Sequence, residues 1–204
     1  MIEIELIHRV LSDPLPHGKV DGLFLFAQTN DNQSSILEAA IALYHMKICD
    51  KIHIIDAPST DGFPGFESWQ KHLSDHGAQQ NDVIAVKSCS LNQLHTLIEA
   101  KSFIAYAQAQ AFKRIIIMAA PFNQTRAFMT MVTATDLVGY DLGIYNQPGS
   151  PMVWNDIVEN AQGGVITSRK EAIHVELKKI ATYQQKGDLK DFDYVLKYLD
   201  QRQQ

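Results

Sequence analysis

Cysteine is scarce: Cys49 and Cys89 are the only two in 204 residues. With no CxxC pair and no ladder of spacings, they exclude a disulfide-stapled scaffold and a zinc ribbon. The expectation is two buried, reduced thiols. Long apolar runs are missing as well. No window reaches the roughly 18–20 apolar residues that cross a bilayer, so membrane insertion is not expected. The opening stretch MIEIELIHRV has no basic segment ahead of an apolar core and does not read as a signal peptide. A soluble, cytoplasmic protein is the expectation. Positive charge is not in surplus: 18 Lys and Arg face 23 Asp and Glu, for a net charge of −5. The basic residues are scattered, which argues against nucleic acid as a partner. The eight histidines form no HxH or HExxH pattern, and there is no GxSxG, Walker loop or GxGxxG. Gly22 stands before the first apolar run, the wrong side for a dinucleotide fingerprint. A standard NAD enzyme and a P-loop NTPase are therefore disfavoured.

What the chain does contain is an alternation. Leu23–Ala27 is a continuous apolar run, as expected of a strand covered on both faces. Ile52–Ile55, Val83–Val86, Ile115–Ala119 and Leu142–Tyr145 are similar. Helical spacing separates them. Ser35 and Glu38 have the spacing of a capping box ahead of Leu37, Ala40, Ile41 and Tyr44. Phe66, Trp69 and Leu73 mark a short helix stopped at Gly77. Leu94, Leu97, Ile98 and Ile104 mark one ending near Phe112. Phe128, Met131, Val132 and Thr135 mark another, ending before Gly139. The reading is α/β: a Rossmann-like, doubly wound, mostly parallel five-stranded sheet of order 3-2-1-4-5.

The tail differs. Asn146–Gly164 is rich in Pro and Gly, with a short helix expected around Trp154–Ala161. Ser168 and Glu171 form a second capping box, opening a helix through Ile173, Leu177, Ile180 and Ala181. Gly187 interrupts, and Phe192–Leu199 resumes. We read residues 1–204 as a single domain, with a core at 20–147 and a C-terminal helical appendage at 148–204.

In such a sheet, ligands bind beyond the carboxyl ends of the strands, where strand order reverses. Two loops should meet there, Gln28–Ser34 after the first strand and Pro121–Arg126 after the fourth. Each leads into a helix N-terminus that favours an anion. Candidate ligand contacts are Gln28, Thr29, Asn30, Ser34, Ser35, Asn123 and Arg126, whose guanidinium suits a phosphate or carboxylate. Ser35 and Asn123 also read as plain N-caps, and Arg126 as a partner for a nearby carboxylate. Asp31, Asp56 and Asp61 follow predicted strands. Together they could hold a divalent cation, but caps and turns are their ordinary use, and no metal is expected. His95, Thr96 and Glu99, at the start of the third long helix, are further candidate ligand contacts.

The order of these segments resembles the SanA/ElyC/YdcF-like family, a domain of unknown function. The likeness spans roughly residues 20 to 190 and rests on short motifs. They are Asp21-Gly-Leu-Phe-Leu-Phe-Ala27, Ala42-Leu-Tyr44, His95-Thr96-Leu-Ile-Glu99-Ala100 and Ala119-Ala-Pro-Phe-Asn123-Gln-Thr-Arg126-Ala127. The ending Glu176-Leu-Lys-Lys-Ile180, with Tyr183 and Gly187-Asp188, is similar to the soluble branch of that family. Thr96, Glu99 and Arg126 match its pattern. Ile36 stands where the family has Arg, Asp56-Ala57-Pro58 replaces a Ser-Gly-Gly turn, His95 replaces Asn, and Asn123 replaces His. The resemblance implies a nucleotide-like or phosphorylated small-molecule ligand, with S-adenosylmethionine a candidate. Three expectations follow: a small-molecule binding protein that holds an anion on Arg126; a phosphoryl-ester hydrolase or group-transfer enzyme using Glu99, Asp31 or Asp56; and a degenerate interaction module. Asn123 cannot exchange a proton near neutral pH as His does, so the hook after the fourth strand is better equipped to bind than to catalyse.

Overall fold

A computed structural model of the chain describes residues 2–90, 94–160 and 165–203. The expected sheet is present. β1 (Gly22–Leu25), β2 (Ile52–Asp56), β3 (Val83–Lys87), β4 (Arg114–Met118) and β5 (Gly143–Asn146) are all parallel, in the order β3-β2-β1-β4-β5. β1 is central: Leu23 pairs with Ile52 on one side and Ile116 on the other. Side chains alternate across the pleat, so a strand covered on both faces must be apolar throughout. Leu23, Leu25, Ile52, Ile54, Ile116 and Met118 face α2 (Gln33–His45) and α3 (Phe66–Asp75). Phe24, Phe26, Ile115 and Ile117 face the opposite layer, which contains α4 (Thr96–Ala109) and α5 (Gln124–Val138). Phe24 stacks on Phe103 there, with ring centroids 4.3 Å apart. The switch in helix layer between β1 and β4 leaves a crevice at their carboxyl ends.

Three elements join the second layer from the chain termini. α1 (Ile2–Leu11) was not expected. It buries Leu6 and Val10, one helical turn apart, in the layer that contains α5 and α7 (Phe192–Arg202). α6 (Arg169–Lys186) opens on the expected capping box: the Ser168 side chain and Glu171 satisfy each other's backbone groups. It closes on Gly187, whose φ of 77° suits a residue without a Cβ. Ile180, Leu189, Val195 and Leu199 are buried in the same core, so the appendage packs on the sheet's own domain.

Two local expectations are corrected. Ser35 caps nothing. The helix begins at Gln33 with Asn32 at the N-cap, and Ser35 donates its hydroxyl to Ser150 O at 2.6 Å. A Cβ on Gly149 would strike the Ser35 side chain and backbone, so this junction requires glycine. The segment expected as a short helix around Trp154–Ala161 instead forms β6 (Ile157–Asn160), antiparallel to β7 (Val165–Ser168). Ala161 lies outside the described residues. Val158 is buried while Ile157 and Glu159 are exposed, the alternation of a half-buried strand. Backbone capture fixes it further: Asp31 accepts from Glu159 N–H at 2.8 Å, and Thr29 donates to Glu159 O at 2.9 Å.

The thiol expectation holds for one cysteine only. Cys49 is buried, and burial pushes its thiol up to about 12, so it is inert. Cys89 is exposed, because it lies in the turn after β3 rather than in the strand. No helix among the described residues is long and apolar enough to cross a membrane.

Candidate functional site

The loop after β1 is occupied with structural work. Arg169 lies beneath it, donating Nε to Asn32 Oδ1 at 3.0 Å and Nη2 to Asp31 O at 2.7 Å. Its Nη1 donates to Val153 O and Asp156 Oδ2. Asn32 in turn donates to Thr29 Oγ1 at 3.0 Å. Asn30 and Ser34 are exposed, and Asn30 accepts only from Gln33. Of the seven residues Gln28–Ser34, Asp31 and Asn32 form a latch for the β6–β7 hairpin, with Thr29 shared between latch and crevice. Arg169→Ala should therefore loosen this hairpin first. Amide exchange at Val158 and Glu159 should accelerate by at least about tenfold while β4 amides hold their rates, as expected of a local opening. Equal acceleration in β4 would contradict the latch.

The other loops do converge. Beyond the carboxyl ends of β2 and β3 lies a cavity of about 740 Å³. Its walls come from Asp56–Asp61 after β2, Lys87–Ser90 after β3, the first turn of α4 (His95, Thr96, Leu97), Arg126 and Thr130 on α5, and Tyr183, Asp188 and Leu189 from the appendage. A recess of about 60 Å³ adjoins it at the β1/β4 switch point, sharing Thr60, Asp61, Leu94, His95, Thr96 and Arg126. Gln28, Thr29, Asn32, Glu99, Asn123, Glu176 and Lys179 supply its other polar walls, with Ala27, Phe63 and Phe122 beside them. The structure thus brings Gln28, Thr29, His95, Thr96, Glu99, Asn123 and Arg126 to one place, with Asp56 and Asp61 on the cavity wall. Asn30, Asp31, Ser34 and Ser35 line neither space.

Arg126 answers to a partner fifty residues on. Its Nε is paired with Glu176 of α6, and its Nη1 donates to Thr96 Oγ1 at 2.7 Å. Glu176 also accepts from Lys179 at 2.8 Å. Burial would raise the Glu176 carboxyl, but the two cations outweigh it and hold the group below the usual Glu range. Burial works against the Arg126 charge, and Glu176 more than restores it. The pair is buried, with side-chain exposures of 7% each.

Glu99 is different. It is buried in the first turn of α4, and burial lifts its carboxyl from 4.5 to about 7 against the pull of an Ala27 N–H and the Arg126 charge. Its Oε2 accepts from Ala27 N–H at 2.7 Å, and no other hydrogen bond reaches the carboxylate among the described residues. Asn123 occupies the N-cap of α5 without making a side-chain cap, and its Oδ1 is buried with no partner among the described residues. Burial also depresses the His95 imidazole, with Asp188 opposing and Lys101 and Arg126 adding to the effect. Around the outer cavity Asp56, Asp61, Asp188 and Lys87 are exposed and form no ion pair among the described residues. No cluster of three or more His, Cys, Asp or Glu able to hold a metal occurs among the described residues.

Sequence reasoning missed the wall supplied by α6. The signal was present: Glu176, Lys179 and Tyr183 recur at three and four residues, which places them on one helical face. Nothing local in that pattern says which face meets Arg126. Chemically, the site offers a nucleotide-sized space and one carboxyl able to exchange a proton near neutrality. Its central cation is already bound to a carboxylate. No protein-family model matches this chain, and a comparison with curated proteins returns no match.

Proposed function

We propose that the chain binds a small polar molecule of nucleoside or nucleotide size in the strand-end cavity. The observation that supports this most is convergence: five separate segments meet around about 740 Å³ at the sheet's carboxyl edge, within the roughly 300–1,000 Å³ of ordinary ligand pockets. The motif order resembling the YdcF-like family makes S-adenosylmethionine and other nucleotides the first compounds to try. The setting we propose is the cytoplasm, with a diffusible ligand. A thermal-shift screen of nucleosides, nucleotides, sugars, sugar phosphates and S-adenosylmethionine tests the reading. A true ligand raises the melting temperature of the wild type by several degrees and leaves Leu97→Trp, which fills the cavity wall, unmoved. Equal shifts in both proteins, or none in either, contradict it.

A second reading, an enzyme of group transfer or phosphoryl-ester hydrolysis, is favoured by the raised Glu99 carboxyl in the recess. Asp56 reaches the cavity as a second carboxylate, whereas Asp31 is tied to Glu159 N–H outside it. Turnover of a bound compound that disappears in Glu99→Gln, with binding retained, would separate this reading from the first.

A further inference from the structure

The charges of the site do not suit the phosphate that Arg126 suggests at first sight. In the recess, Arg126 and Lys179 face Glu176 and Glu99, so these four charges balance once Glu99 is ionised; Asp61, its remaining carboxylate, stands exposed on the rim shared with the outer cavity. Around the outer cavity, Asp56, Asp61 and Asp188 outnumber Lys87 and Arg126. An incoming dianion would meet an acidic rim and a guanidinium whose Nε is already paired with Glu176 and whose Nη1 is on Thr96. An ammonium would bring a charge that the balanced recess does not call for.

Two acceptors of the recess lack a hydrogen-bond donor among the described residues. Glu99 is 4% exposed, lines the recess, and has one carboxylate oxygen held by Ala27 N–H and none on the other among the described residues. Asn123 Oδ1, of another residue that lines the recess, is buried and has no partner among the described residues. A buried acceptor such as Asn123 Oδ1 left without a donor is costly, and a ligand that satisfies it together with the free Glu99 oxygen gains on binding. A space of about 60 Å³ admits a hydroxyl or an N–H group but not the body of a ligand.

We propose that the recess selects an uncharged hydrogen-bond donor, a hydroxyl or neutral N–H of a nucleoside or sugar, received by Glu99 Oε1 and Asn123, while the rest of the molecule fills the larger cavity. This rests on the reading of that cavity as a ligand site and specifies it: the unphosphorylated compound is the ligand, and its phosphate ester is discriminated against.

Glu99→Gln is a sharp probe. If the glutamine carbonyl takes the Ala27 N–H, the amide places a donor in the recess. If it turns round, the amide faces the Ala27 N–H instead. Either orientation opposes two donors. The experiment is calorimetric titration at pH 8 with matched pairs, adenosine against adenosine monophosphate and glucose against glucose 6-phosphate, with glucosamine as the cationic control. The uncharged member should bind at least about tenfold more tightly than its ester, and Glu99→Gln should weaken it by about tenfold or more. The arm that binds distinguishes a nucleoside from a sugar. An ester or an amine that binds as tightly as its neutral partner overturns the inference, as does unchanged affinity in Glu99→Gln. If neither series binds, an uncharged hit from the wider screen weakened by Glu99→Gln supports it. A phosphate or carboxylate hit blocked by Leu97→Trp overturns it while the cavity reading stands. No binding across the whole screen overturns both.

Discussion

Glu176→Ala destabilises the fold by about 3–5 kcal/mol, the cost of leaving a buried guanidinium without its carboxylate. Arg126 and Glu176 lie within the structure rather than on a solvated rim. Removing Glu176 strands the Arg126 charge and also frees Lys179. The reverse change, Arg126→Ala, leaves Glu176 with Lys179 alone and should cost slightly less. Replacing both together, as Arg126→Met with Glu176→Leu, should recover most of the loss, because a buried pair exchanged for apolar volume is often neutral or better. Urea unfolding of the three variants checks this, and a single-variant cost near 1 kcal/mol would place the pair in solvent. The pH sense follows from the depressed Glu176 carboxyl: its contribution is present above the ordinary Glu value and is lost as pH falls through the lower folded value.

The second expected result concerns two buried groups that oppose each other. Glu99 is raised from 4.5 to about 7, so the folded state holds a proton that the unfolded state has released. Its effect on stability is full below the unfolded value and is lost as pH rises through about 7, a fall of about 3 kcal/mol at about 1.4 kcal/mol per pH unit. His53, buried against Phe103, Tyr106 and Phe112, is lowered from 6.5 to about 4 by burial. Here the unfolded state binds the extra proton, so stability rises by about 3 kcal/mol as pH climbs from about 4 to 6.5. In the wild type the two slopes largely cancel between those values. Glu99→Gln removes one of them. Its stability should climb from pH 4 to 6.5 and then level, ending above the wild type by about 3 kcal/mol at pH 8. Denaturation curves of the two proteins across that range, compared pairwise, isolate Glu99 from every other titrating group. Parallel curves would show that this carboxyl is solvated.

The sheet was legible because its physics is local. Phe24 and Leu25 need no knowledge of the rest of the chain to mark a strand covered on both faces, and five such runs with helices between them leave few orders. Local signals failed where a distant partner decided the outcome. Ser35 and Glu38 have capping-box spacing, yet Asn32 takes the N-cap and Ser35 bonds to Ser150, more than a hundred residues away. Residues 157–160 became a strand because Thr29 and Asp31 hold the Glu159 backbone and β7 pairs beside them. α1 escaped notice because its only deeply buried positions are Leu6 and Val10, too few for a strong period. At the site, Asn123 and Arg126 after β4 were readable from where loops must meet. The charge that neutralises Arg126 was not, since Glu176 reaches it only through the packing of α6. That pairing turns an apparent anion hook into a closed ion pair, and it moves the open hydrogen-bonding capacity to Glu99 and Asn123.

The position of a bound ligand is the most direct test. A crystal structure of the wild type with the tightest compound from the screen should place it between His95 and Tyr183, with a hydroxyl or N–H within about 3 Å of the free Glu99 oxygen and the Arg126–Glu176 pair intact. A ligand bound elsewhere on the molecule, or a phosphate seated on Arg126 with Glu176 displaced, would contradict it.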